Sequence, residues 1–85
     1  MYIIANLKNF TLTHEFCIFD EENQLVDKFA TSMKQLPELI VEACKKYNVN
    51  SVSLMGNKNF SKKVGEDIKA INLAKYELNI NVQYI

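Results

Sequence analysis

Arginine and tryptophan are absent from this 85-residue chain, and glycine (two), proline (one), cysteine (two) and histidine (one) are scarce. Each shortage excludes something. Bidentate recognition of phosphate and guanine leans on the planar arginine fork, so any nucleic-acid contact would rest on lysine alone. Gly56 and Gly65 stand too far apart to form a glycine-rich phosphate loop. Cys17 and Cys44 lie far apart inside apolar stretches, without C-x-x-C spacing. They read as buried thiols rather than as a disulfide or a metal site. His14 neighbours Glu15 but no candidate nucleophile, and reads as a surface residue at a strand start. Ser53 and Ser61 lack a nucleophile-elbow context. No apolar run approaches the roughly 20 residues that cross a bilayer, and no signal-peptide pattern opens the chain. A cytoplasmic chain without a membrane or cofactor role is the expectation.

What is present is an ordinary globular composition, 48% hydrophobic and 24% charged, with the length of one small domain over residues 1–85. Net charge is zero but segregated. Residues 1–42 hold three lysines against seven acids, a net of −4, and residues 43–85 hold seven lysines against three acids, a net of +4.

Tyr2-Ile3-Ile4-Ala5 and Phe16-Cys17-Ile18-Phe19 are continuous apolar runs, the pattern of strands covered on both sides. Phe10 to Thr13 could extend either strand. Asp20 to Gln24 is a polar hairpin turn, and Leu25 to Ala30 alternates with charges on both faces, which suits an edge strand. Ser32 and Gln35 have capping-box spacing. Pro37 belongs in a first turn, so regular helix is expected from about Leu36. Its apolar stripe is Leu36, Leu39, Ile40, Ala43, Cys44 and Tyr47, with Asn48 as a left-handed stop. On this pattern Leu39 is buried, and its truncation to alanine would cost about 2–5 kcal/mol. Ser51 to Met55 reads as a fourth strand ended by Gly56. Asn57 to Ser61 opens a second helix that frays near Leu78-Asn79, with Gly65 marking close packing on the sheet. Ile80, Val82 and Tyr84 give a last strand with one dry face.

The order is therefore β-β-β-α-β-α-β. It fits an α/β fold with a five-stranded mixed sheet in the order 3-2-1-4-5, and right-handed crossovers put both helices on one face. Three stretches carry a resemblance: Met1-Tyr2-Ile3-Ile4-Ala5-Asn6, then Phe16 to Asp20 leading to Gln24-Leu25-Val26, and Ser51-Val52-Ser53-Leu54-Met55-Gly56-Asn57. Together with the element order they resemble the ribonuclease H-like superfamily, in its Holliday-junction-resolvase-like branch, in degenerate and truncated form. Active members carry an aspartate on the first strand, an acid near the end of the fourth and acids on a later helix, which together hold two divalent metals. The matching positions here are Asn6 and Gly56-Asn57, and no later helix follows within these residues. Asp20 falls at the wrong end of its strand, and Glu66 and Asp67 read as a solvated helix face. The resemblance implies a scaffold without metal-dependent nuclease chemistry and without catalytic residues.

Two surfaces remain as candidates. With both helices on one face, the other face of the sheet is bare. Its margins are polar, and its centre must be apolar, through Tyr2/Ile4 or Ile3/Ala5 and through Cys17/Phe19 or Phe16/Ile18. The assigned interaction surface is Tyr2, Ile4, Phe16, Ile18, Ser51, Ser53, Asn81 and Gln83, for self-association or a protein partner. The second candidate is a basic patch of Lys58, Lys62 and Lys69, which share a face at helical spacing. It would serve a nucleic-acid-binding or resolvase-related module, weakly and with strong salt dependence. The leading reading is a non-catalytic protein-interaction module. Its size and fold suit a phage or mobile-element accessory factor that binds or inhibits a nucleic-acid-processing complex.

Overall fold

The apolar runs at the start of the chain form two strands, β1 (Tyr2–Leu7) and β2 (His14–Phe19), paired antiparallel with Ala5 opposite Phe16. The computed structural model describes all residues, Met1–Ile85. β3 (Leu25–Thr31) continues the meander on the outer side of β2. Helix α1 (Leu36–Tyr47) then crosses to β4 (Ser51–Gly56), parallel to β1. Helix α2 (Lys58–Lys75) leads to β5 (Asn81–Tyr84), parallel to β4. The strand order is β3-β2-β1-β4-β5, as the hydrophobic pattern implies, and both helices pack on one face.

Burial alternates along β1 and β2 and along β4 as far as Leu54. Ile3, Ala5 and Leu7 of β1, Phe16 and Ile18 of β2, and Val52 and Leu54 of β4 point to the helices. There they meet Leu36, Ile40, Val41 and Cys44 of α1 and Val64 and Ile68 of α2 in one core. Phe16 and Phe29 stack at 5.0 Å across the β2–β3 pair.

The connections follow local chemistry. The Asp20 carboxylate accepts from the backbone of Glu22 and Gln24, both at 2.9 Å, holding the β2–β3 turn with Asn23 at positive φ. Pro37 sits in the first turn of α1 and Asn48 closes that helix in the left-handed conformation. Ser32 Oγ accepts from the Gln35 backbone N–H at 3.3 Å, one arm of the expected capping box. The Gln35 side chain instead accepts from the Thr31 hydroxyl. Gly56 has φ +102°, and a Cβ there would run into the Leu7 carbonyl, so the β4–α2 junction requires glycine.

Several expectations are corrected. Helix α2 ends at Lys75, short of Leu78, because the Asn72 side chain brackets Leu78. Its amide donates to the Leu78 carbonyl at 2.7 Å and its oxygen accepts the Leu78 N–H at 2.9 Å. Leu39 is not buried but 38% exposed. It overhangs the half-covered β2–β3 edge, and Val41 takes its place in the core. Phe10 to Thr13 extend neither strand, and Phe10 and Leu12 stand fully exposed in the β1–β2 loop. His14 is not a surface residue. It is 3% exposed, its Nδ1 accepts from the Lys8 backbone N–H at 3.2 Å, and its ring lies edge-on to Phe60. Cys44 is buried, but Cys17 is only partly so, because it faces the bare side of the sheet.

Candidate functional site

Strand parity decides which side chains line the face without helices. Ile3 pairs with Ile18 and Ala5 with Phe16, and directly opposed residues share a face. Phe16 and Ile18 therefore go with Ile3 and Ala5 into the core and leave the assigned interaction surface. Their neighbours Cys17 and Phe19 replace them, opposite Ile4 and Tyr2. The other six assigned residues lie on the open face. Tyr2 and Ile4 are central, Ser51 and Ser53 follow on β4, and Asn81 and Gln83 lie beside them on β5.

The centre of this face is a half-buried apolar strip. The rings of Tyr2 and Phe19 stack at 5.2 Å, Ile4 and Cys17 lie alongside, and Met55 extends the strip across β4 beside Asn6. The Tyr2 hydroxyl donates to Asn23 Oδ1 at 2.7 Å, which fixes the ring. The charged side chains of the strands on this face are Glu15 and Lys28, paired at 3.5 Å. The strip thus lies between one neutralised ion pair and a margin of uncharged serine, asparagine and glutamine. Apolar centre and polar rim are the layout of a protein interface.

The rim at the carboxyl ends of β1 and β4 has a different character. Asn57 Oδ1 accepts from the Phe60 N–H at 2.9 Å and caps α2. Its amide donates to Asn9 Oδ1, and its backbone N–H donates to the Leu7 carbonyl at 2.8 Å. Asn57 therefore ties three segments together, with its polar groups committed to structure. No three His, Cys, Asp or Glu side chains come together anywhere in the chain. Asp20 is held in its turn at the opposite end of the sheet, and Asp67 pairs with Lys63 at 3.4 Å one helical turn away.

The three lysines of the basic patch do come together. Lys58, Lys62 and Lys69 line one groove of about 540 Å³ with Ser61 and Glu66 of α2, Leu54 and Gly56 of β4, and Tyr84 and Ile85 at the end of β5. Gly65 lets the helix approach β5, since a Cβ there would meet the Tyr84 hydroxyl. The expected close packing of Gly65 on the sheet is therefore a contact with one tyrosine. Spacing along the helix revealed the lysines. Ser61 and Tyr84 join them only through the fold, and the sequence carried no signal for that.

Elsewhere, polar groups hold the helices together. The Tyr76 hydroxyl donates to the Glu42 carboxylate, and Lys75 Nζ reaches Glu38 at 2.8 Å and Glu42 at 3.2 Å. The hydrogen bonds from Tyr76 and Lys75 hold the Glu42 carboxyl below its ordinary range. The Tyr47 hydroxyl does the same for Asp27 on β3. Burial pushes the Cys44 thiol up to about 11, which removes it from thiolate chemistry. No helix is long and apolar enough to cross a membrane.

No protein-family model matches this chain, and no curated protein does.

Proposed function

We propose that the protein is a non-catalytic interaction module whose working surface is the bare face of its sheet, and that the face is covered by a second copy of the chain. The observation that carries this reading is the uncovered apolar strip of Tyr2, Ile4, Cys17 and Phe19, framed by uncharged polar side chains. Its one ion pair, Glu15–Lys28, leaves the strand side chains of the face without net charge. Two copies can therefore meet without like-charge repulsion. Five strands at about 4.8 Å spacing and six residues at about 3.3 Å give a footprint of roughly 500 Å² per copy. About 1,000 Å² for the pair is the lower end of a specific interface. The association is therefore weak and reversible, with the two sheets packed face to face about 10 Å apart.

The strand order supports a ribonuclease H-like scaffold, and asparagines at the β1–β4 rim support a role without metal-dependent cleavage. An accessory factor of this kind would act on a nucleic-acid-processing complex by occupying a surface.

Sedimentation velocity over a range of concentrations tests the reading. The expected result is a monomer–dimer equilibrium that Ser53→Lys and Ile4→Glu both shift to monomer, with the far-ultraviolet circular dichroism unchanged for Ser53→Lys. A wild-type chain that stays monomeric throughout would remove the second copy as the occupant.

A further inference from the structure

Helix α2 carries its lysines in two states. Lys63 pairs with Asp67 on the same helix, and Lys75 pairs with Glu38 and Glu42 on α1. Lys58, Lys62 and Lys69 pair with nothing, and all three line the groove beside β5. Glu66 is the one acidic side chain among the lining residues, so three lysines against one glutamate leave a side-chain charge of +2 there.

Ser61 supplies an independent observation. The residue is 4% exposed, yet its hydroxyl has no hydrogen-bond partner within the chain. No side-chain polar atom is both sealed off and unpaired, so the Ser61 oxygen opens onto the groove whose wall it forms. The hydroxyl is therefore free to hydrogen-bond to a ligand in the groove, from a side chain that is otherwise held in place by burial.

We propose that this groove binds a small nucleoside phosphate. Its volume of about 540 Å³ falls inside the roughly 300–1,000 Å³ range of small-molecule sites. It lies between α2 and the carboxyl ends of the parallel strands β4 and β5. The lysines and the Ser61 hydroxyl supply donors to phosphate oxygens. Ile85 and the exposed Tyr84 ring supply apolar surface for a flat base. Glu66, set between Lys62 and Lys69 on the helix, offers an acceptor for a sugar hydroxyl, a group that inorganic phosphate lacks. This site is separate from the bare sheet face, and neither proposal depends on the other.

Calorimetric titration with ADP, adenosine, pyrophosphate and a single-stranded oligonucleotide tests the proposal. NMR shifts of the α2 and β5 amides locate the site. ADP is expected to bind at low salt and to weaken as salt rises, with adenosine silent and pyrophosphate weaker than ADP. Lys62→Gln and Ser61→Ala are each expected to reduce ADP affinity by about ten- to a hundredfold, the scale of one hydrogen bond to a charged group. Lys63→Gln, which removes a paired lysine from the same helix, should leave affinity unchanged. The proposal fails if ADP gives neither heat nor shifts, or if Lys63→Gln weakens it as much as Lys62→Gln. It also fails if only the oligonucleotide binds, or if pyrophosphate matches ADP.

Discussion

Leu39 and Ile40 are adjacent, similar in size and both on the apolar stripe of α1, yet only Ile40 is fully buried. Helical spacing alone cannot separate them, because it defines a direction and not the width of the sheet beneath. Ile40→Ala should cost about 2–5 kcal/mol and Leu39→Ala only ~1 kcal/mol, readable as two chemical-denaturation midpoints. Backbone conformation sets two further residues apart. At Gly56 a methyl group meets the Leu7 carbonyl at a φ that side chains avoid, so Gly56→Ala should destabilise by at least ~2 kcal/mol. Phe10 holds φ +58° with its ring in solvent. Phe10→Gly therefore loses no packing and should raise stability by about 1 kcal/mol, measured as a higher thermal midpoint.

At the scale of elements, α1 and α2 are joined by a polar clasp as well as by the core. Glu42 accepts from Tyr76 and Lys75, and its carboxyl is held below its ordinary value. Asp27 is held down by Tyr47, which ties β3 to α1. A carboxyl depressed in the folded state stabilises the fold above its unfolded pKa, and the contribution is lost as pH falls through the folded one. Stability should therefore decline as pH falls below about 4.5, the unfolded range of carboxylates. Glu42→Gln should flatten that decline, as urea midpoints across the acid range would show. Strand order was legible in the sequence because the doubly apolar runs, the alternating edges and the crossover helices each admit few placements. Strand parity was not. β1 and β2 are apolar on both sides, so alternation carries no instruction there, and only the pairing of Ala5 with Phe16 decides it.

The whole molecule presents two unequal faces. One is closed by α1 and α2 over a continuous core, and the other exposes an apolar strip that spans β2, β1 and β4. The sequence announced that imbalance through the count of helices and the polar margins Ser51, Ser53, Asn81 and Gln83. It could not announce the lysine groove, whose walls come from positions 54 to 85 and meet only after β5 docks. Cys17 stands near the middle of the open strip, opposite Ile4 and next to Lys28, while Cys44 is buried in the core. That pair makes the bare face directly observable through the alkylation rate of Cys17 at increasing protein concentration, with Cys44 unreactive until unfolding as the internal control. If a second copy covers the face, the Cys17 rate falls as concentration rises, and Ser53→Lys restores it. A rate that is independent of concentration in both proteins would show that the face stays open and that the self-association reading is wrong.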